Sequence, residues 1–525
     1  MGVVENILEN VKGVVGELTP LKTAGLGFGG IVLWSYGNYY IAQYKINKLG
    51  GHAPVRRNKL PLGLDNLYEA IESNLRHQAM EIWERGFREW GHRANPYTFE
   101  AYIANQRLIL TADVENIKAI LATQFQDFGK GEQFNKDWHP FLGDSIFTTD
   151  GTKWHDSRQL IRPQFVKDRV ADLKTFGKHC EILVPMLGGS SDGATVDAAD
   201  LFFKFTLDAS TDFLLGQSVD SLHEDITGFA DAFNHAQHIM SMVARAGPLN
   251  WIIPRRQFNK DIKLINAFCD KYIDAALALS PEELEKTTKS DEGYTFLHAL
   301  ASFTRDRTVL RDQIVAVLLA GRDTTACSLS WLFYELSCYP EIVTKLRAEI
   351  LRTVGPDADP TYEDLKSMKY MQHCMNETLR LYPIVPFNVR MALKDTTLPH
   401  GGGKDGNDPI GVLKDTPIGY STLAMQRRAD IYPPASSGFP DINKFVPERW
   451  ETWNPKPWTY IPFNGGPRLC VGQQFALTEM AYTITKILQK YERVENRMSA
   501  PPKWKSDIVL QPAEGVQIAF YAAKS

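Results

Sequence analysis

The chain has no run of basic residues, no CxxC pair and no glycine-rich nucleotide loop, and each absence removes a class of function. Lysine and arginine number 58 against 62 aspartate and glutamate, a net charge of -4 with the signs interspersed, so nucleic acid finds no electrostatic footprint. Six cysteines (Cys180, Cys269, Cys327, Cys338, Cys374, Cys470) stand singly in 525 residues, which argues against a disulfide scaffold and fits a reducing compartment. Without a P-loop or a strand–GxGxxG–helix unit, the chain carries no nucleotide-cofactor domain of its own. Internal repeats are also missing, which argues against a solenoid.

Charge is missing locally as well. Between Lys22 and Lys45 there is no charged residue, and at about 1.5 Å per helical residue this stretch spans a bilayer of about 30 Å. The preceding Glu5, Glu9 and Glu17 do not suit a cleaved signal, so residues 23–44 are expected to be a retained transmembrane anchor behind an N-terminal tail, 1–22. Lys45, Lys48, Arg56, Arg57 and Lys59 follow without an acid, and Pro54 and Pro61 stiffen the chain. Residues 45–63 therefore read as a basic, proline-containing linker, with everything after it on the cytosolic side.

From residue 64 to 525 no further linker divides the chain, and 44% hydrophobic residues suffice for a large core. Helical signals dominate. FTLDASTDFLLG ends on Gly216, PEIVTKLRAEILRTVG starts at Pro340 and ends at Gly355, and Thr361 with Asp364 forms a capping pair. Short β-like pieces cluster near residues 97–111 and 384–424, so the expected fold is mainly α with a small β region.

The stretch FNGGPRLCVGQQFA, residues 463–476, sets Cys470 behind Gly465, Gly466 and Pro467 and ahead of Gly472. Glycines permit a tight turn whose N–H groups approach the sulfur, and the helical period of the following residues puts Cys470 just before a helix N-terminus, where thiolate is favoured. A lone cysteine is ordinarily a small buried hydrophobe. Here, with Arg468 two residues upstream to meet an anion, the arrangement fits an iron porphyrin, sulfur on the metal and guanidinium on a propionate. Reading F-x-x-G-x-R-x-C-x-G from Phe463 through Gly466, Arg468 and Cys470, the stretch resembles the haem-ligand loop of the cytochrome P450 family.

A long helix is predicted from about Thr308 to Tyr339, apolar through Val315–Ala320 and interrupted by Gly321, Asp323, Thr324 and Thr325. Glycine in mid-helix costs about 1 kcal/mol relative to alanine, and threonines can bond back and bend the helix. In the family it resembles, Ala320-Gly321-x-Asp323-Thr324 opens a groove over the haem for dioxygen. Helical neighbours point about 100° apart, and the resemblance implies that Thr324 orders water at that groove while Asp323 passes protons from the solvent side. Glu377 and Arg380 are i,i+3 neighbours that, with Arg449, match the family's structural triad; alone, such a pair is usually a solvated ion pair. Trp154 and Arg158 resemble its propionate-binding WxxxR, and Arg390 is a further propionate candidate.

The runs LGDSIFTTDGTKWHDSRQLIRPQF, AGRDTTA and LPHGGGKDG are similar to those of fungal microsomal monooxygenases that hydroxylate n-alkanes and fatty acids; Gln426 departs from the histidine expected there. The resemblance implies haem b (iron protoporphyrin IX) as cofactor and electrons from an NADPH-cytochrome P450 reductase, with cytochrome b5 as a second donor. It also implies an endoplasmic-reticulum location with a single span and contact with membrane lipid. Phe134, Phe141, Phe147, Ala320, Ile384, Val385 and Phe387 fall where the family lines its pocket, so an apolar small-molecule substrate is expected, although aromatic residues of this kind are as often plain core. The competing readings are a monooxygenase of a xenobiotic or secondary metabolite, a hydroperoxide isomerase or dehydratase of the same fold, and a non-catalytic haem or lipid binder.

Overall fold

A computed structural model describes residues 20–165, 173–223, 228–289 and 295–523; the expected tail, 1–22, lies almost wholly outside them. An N-terminal helix runs Pro20–Lys48, covering the expected anchor and the first residues of the expected linker. Among the described residues no helix is long and apolar enough to cross a membrane. The cause is compositional: Gly25, Gly27, Gly29, Gly30, Ser35, Gly37 and Asn38 dilute the apolar residues. The linker does not hang free. Gly411 N donates to Gly51 O at 2.9 Å, and Val55 bridges Glu100 in the sheet.

The strands are β1 (Thr98–Ile103), β2 (Gln106–Thr111), β3 (Phe128–Gly129), β4 (Thr195–Asp197), β5 (Asn388–Ala392), β6 (Thr396–Gly402), β7 (Asp408–Val412), β8 (Pro417–Tyr420), β9 (Tyr491–Asn496), β10 (Trp504–Ser506), β11 (Leu510–Pro512) and β12 (Gln517–Ala522). The principal sheet has the order β1-β2-β8-β5-β3, and only the β2–β8 pair is parallel. A three-stranded sheet, β4-β12-β9, and two hairpins, β6–β7 and β10–β11, complete the β region, while helices make up most of the rest. The main strands fall where the sequence signals them, within 97–111 and 384–424.

The long central helix spans Arg307–Cys338, started by the Asp306 side chain, which accepts from Thr308 N and Val309 N. It threads two apolar clusters. Leu310, Ile314, Val315, Leu318 and Leu319 join one, with the helices Phe229–Ala246 and Arg256–Ala278. Ala326, Leu329, Trp331, Leu332 and Leu336 join the other. Residues 320–325 lie between them and belong to neither. Between Gln313 and Phe333 of this helix only Val317, Ala320, Gly321 and Thr324 stay partly exposed, at i, i+3, i+4 and i+7, which is one face bordering open space.

The helix Ala198–Leu215 packs against the long helix and ends on Gly216 in the left-handed region, as its sequence predicts. The stretch after Thr361 forms two helices. Thr361 and Asp364 form the capping box, but that helix stops at Ser367 and a second begins at Lys369.

Candidate active site

The cysteine loop is built by backbone constraints. Gly465 presses on the Trp458 ring, and a Cβ on Gly466, whose φ is +64°, would lie 1.9 Å from Leu121 O, so only glycine fits there. Cys470 N donates to Phe463 O at 3.0 Å, closing the loop, and Tyr420 Oη donates to Asn464 Oδ1 at 3.1 Å. The helix Gln473–Lys490 starts three residues past Cys470 with Gly472 as its N-cap. The sulfur side is open by surface area, yet protein surrounds the residue at longer range, which is the situation of a group lining an internal space. Burial pushes the Cys470 thiol up, opposed by the Gly472 N–H and by Arg158. The helix N-terminus thus favours the thiolate, as its Gly472 N–H shows, while burial opposes it; a bound cation would favour it further.

Around this loop the chain gathers cations. Arg468 donates to Asp150 Oδ1 at 2.6 Å and to Thr149 O at 2.9 Å, and lies 4.7 Å from the centre of the Trp154 ring. Arg158, one helical turn after Trp154 on the helix Gly151–Ile161, lies 5.9 Å from the same ring and donates to Leu469 O at 3.0 Å. Arg390, 3% exposed on β5, donates to Asn388 Oδ1 at 3.0 Å and to Val389 O at 2.9 Å. Lys130, 8% exposed, donates to the same Asn388 Oδ1 at 3.3 Å and lies 4.4 Å from the Phe134 ring centre. Burial and the neighbouring Arg390 and Arg468 drive the Lys130 pKa well down, and burial brings Arg468 to about 10.

The cations around the loop outnumber the carboxylates, since Arg158 too donates only to a carbonyl. Asp150 is already saturated, because besides Arg468 it accepts from Lys130 N at 2.8 Å and from Gly131 N at 2.7 Å, capping the helix Gly131–Leu142. The Lys130 ammonium and the Arg390 guanidinium are left with hydrogen bonds to neutral acceptors alone. Buried cations of this kind need anionic partners. A porphyrin with two propionates supplies them, with Cys470 placed to take the iron, so the residues present fit haem. Lys130 and Asp150 were not picked out in the sequence, since neither belongs to a local motif; the cap that Asp150 supplies is made across 19 residues.

On the long helix, Thr324 Oγ1 donates to Ala320 O at 2.6 Å, the back-bond expected of a threonine that bends a helix. Asp323 is 2% exposed and points away from that open face. Arg322 NH1 lies 3.4 Å from its Oδ1, and Gln237 of the helix Phe229–Ala246 hydrogen-bonds to it. Burial raises its pKa, partly offset by Arg322 and Gln237. Asp323 does not meet solvent directly: Gln237 of the helix Phe229–Ala246 lies against it, and Lys505 on β10 is the next charge that acts on it.

Glu377, Arg380 and Arg449 come together in the fold. Glu377 accepts from Arg380 Nε at 2.8 Å and NH2 at 2.9 Å, from Arg449 Nε at 2.8 Å, and also from Trp450 Nε1 at 3.0 Å and Val446 N at 2.9 Å. Surplus arginine donors go to the carbonyls of Ile442, Asp441 and Lys444. The cluster thus pins the segment 440–450 to the helix Lys369–Leu381. Gln426, where histidine was expected, bridges the same helix to the cysteine loop: its amide donates to Leu379 O and Arg380 O at 3.1 Å and accepts from Ile461 N at 3.1 Å.

The pocket residues read from sequence divide. Phe147 and Val385 are partly open, and Phe134 stacks on Trp138 at 5.4 Å. Phe387 packs on Trp83 at 5.7 Å with Arg245 at 5.8 Å. Phe141 instead packs edge-on against Phe233 at 5.5 Å, and Ile384 is buried with its carbonyl accepting from Leu510 N, so these two serve the core.

Residues 91–520 match the family model Cytochrome P450. Among relatives, the cytochrome P450 monooxygenase pvhE of Talaromyces variabilis is 49% identical over 91% of this chain and 92% of its own length. Cytochrome P450 52A4 of Candida maltosa is 41% identical over 84% of each chain, and cytochrome P450 52A1 of Candida tropicalis 40% identical over 87% of this chain and 85% of its own. Together with the cysteine loop and the cations that converge on it, this match places the chain in the cytochrome P450 family of haem-dependent monooxygenases.

Proposed function

We propose that this monooxygenase is membrane-anchored and hydroxylates long apolar chains, alkanes or fatty acids, at or near their end, with electrons from an NADPH-dependent reductase at the endoplasmic reticulum. Haem, when bound, supplies the activation of dioxygen. The chain's own residues do the rest. Cys470 holds the iron, and Arg468, Arg158, Arg390 and Lys130 hold the propionates. Thr324 holds a proton site at the open face of the long helix, and Asp323, buried behind it, passes protons toward it. The observation that carries the substrate class is that face: Val317, Ala320 and Gly321 offer no polar side chain, and the one hydroxyl, on Thr324, has its proton committed to Ala320 O. An unfunctionalised hydrocarbon is the ligand such a surface suits.

The anchor is supported by exposure. Leu33, Trp34, Tyr36, Tyr39, Tyr40, Ile41 and Tyr44 of the N-terminal helix are all more than half exposed, a contiguous apolar and aromatic surface that water does not favour and a bilayer interface does. Trp251 and Ile252, at the end of the segment 234–253, are exposed as well, whereas the helix before them is packed, with Ala236, Met240 and Val243 buried. Contact with lipid is therefore assigned to its tip. Sedimentation with microsomes after alkaline carbonate washing tests the anchor, and release into the supernatant would remove it.

The substrate class is tested by titrating the purified holoenzyme with alkanes and fatty acids of graded chain length while following the haem spectrum. A saturable high-spin shift that peaks at one length is the expected result. No shift with any chain, alongside a shift with bulkier ring compounds, would overturn the assignment.

A further inference from the structure

The glycine-rich run at 401–408, which haem chemistry leaves unused, is the tip of the β6–β7 hairpin, and it forms one wall of a groove of about 630 Å3 that shares no residue with the Cys470 site. The other walls are His52–Pro54, directly after the N-terminal helix, and the turn Gly91–Ala94. The tip is fixed in place. Gly401 N donates to Gly406 O at 2.8 Å, and Asn95 Nδ2 reaches Gly406 O at 3.3 Å and Asn407 Oδ1 at 3.2 Å. Gly406 has φ +76°, and a Cβ there would meet Asn95 O at 2.7 Å and His92 at 3.1 Å, so this close approach requires glycine.

The purpose of that packing is visible in what it presents. Lys404 is brought to the same groove as His92 and Arg93, and among the described residues none of the three has a hydrogen-bonding or ion-pair partner. Asp405 is the one carboxylate in the lining. His52 ties the groove to the N-terminal helix: its ring nitrogens lie 2.8 Å from Gln43 Oε1 and 2.9 Å from Glu100 Oε2. Lys45 of that helix lies 3.1 Å from Asp395, just before β6, a second tie between the foot of the helix and the strands that carry the groove. A helix immersed from its foot upward sets this groove at headgroup depth, where unpaired cations meet phosphate.

We propose that the groove binds the phosphate headgroup of an anionic phospholipid, a reading that rests on the membrane-anchored assignment above. Arg93 supplies a planar fork and Lys404 a point charge, the pair of donors that suits a phosphate held at a surface. Such a site orients the catalytic domain on the bilayer about the foot of its anchor.

The test uses the full-chain holoenzyme and soluble dihexanoyl phosphatidic acid, with dihexanoyl phosphatidylcholine and inorganic phosphate as comparisons, followed by calorimetry. The parent is expected to favour the anionic lipid about tenfold over the zwitterionic one, and the double variant Arg93→Gln, Lys404→Gln to lose that preference with its haem spectrum unchanged. Equal preference in parent and double variant would overturn the site, and inorganic phosphate competing as well as the lipid would overturn the lipid as its ligand. Flotation with neutral phosphatidylcholine vesicles tests the anchor separately. A parent that fails to float refutes the anchor, whereas the preference for the soluble anionic lipid, measured without a bilayer, stands or falls by itself.

Discussion

Arg468 and Asp150 form an ion pair of 2.6 Å across 318 residues of sequence, joining the cysteine loop to the start of the helix that carries Trp154 and Arg158. Because the Asp150 carboxylate is also consumed by Lys130 N and Gly131 N, it neutralises Arg468 and leaves Lys130 and Arg390 to an incoming anion.

Lys130→Met separates the two roles. Removing a buried cation that has no anionic partner is expected to leave the apoprotein as stable or more stable, while haem binding loses one charged hydrogen bond, about 1.5–3 kcal/mol or roughly 10–100-fold in affinity. Thermal melts of the apoprotein and haem transfer to an acceptor apoprotein read the two effects. Unchanged haem retention would remove Lys130 from the propionate set.

What could be read beforehand follows how local each signal is. The Cys470 loop, the Thr324 helix and the Glu377–Arg380 pair are contiguous motifs, and each appears in the fold where its spacing implied. Lys130, Asp150 and Asn388 have no such signature: their meaning arises when β5 and the helix Gly131–Leu142 converge, 258 residues apart in the case of Lys130 and Asn388. Asp323 shows the other limit. Its helical phase was legible, but the helix that covers it, through Gln237, was not, because helix packing leaves only an apolar stripe in the sequence. The N-terminal run was read from its lack of charge, and its glycines lower its hydropathy without changing its helical form.

Glu377 holds two arginines and a tryptophan in a region from which water is excluded. Glu377→Ala leaves both guanidinium groups without a counter-charge and is expected to cost about 3–5 kcal/mol, since breaking a buried pair from one side exposes the full desolvation penalty of the other. Urea unfolding of the holoenzyme measures it. A loss under about 1 kcal/mol, a value typical of exposed pairs, would show that the triad is dispensable.

Glu479, on the helix after Cys470, gives a pH prediction. It is 1% exposed, neither carboxyl oxygen has a hydrogen-bond partner of good geometry, and burial lifts its pKa from 4.5 to about 8, offset only in part by the nearby Thr325 hydroxyl. The folded state therefore keeps this proton between pH 4.5 and about 8, where the unfolded chain has released it. Stability falls as pH rises through that window, by at most about 1.4 kcal/mol per pH unit from this group. Glu479→Gln, which stays neutral, should match the parent near pH 5 and exceed it near pH 8. Parallel stability curves for the two proteins would show that the carboxyl is already ionised in the folded state.

Thr324 tests the proton route. Its hydroxyl donates to Ala320 O and can accept from water on the open side of the helix, so Thr324→Ala removes the acceptor while leaving the apolar face intact. In a reductase-supported assay the variant is expected to consume NADPH at a comparable rate but to release most of the electrons as hydrogen peroxide, with product per NADPH several-fold lower. Thr324→Ser restores the hydroxyl without the methyl and should recover coupling. Asp323→Asn acts one step earlier, through the buried carboxyl that Arg322 and Gln237 hold. It should slow turnover and enlarge the solvent isotope effect without raising the peroxide fraction. If Thr324→Ala stays fully coupled, the protons arrive by another path and the bend in the helix serves only to make room.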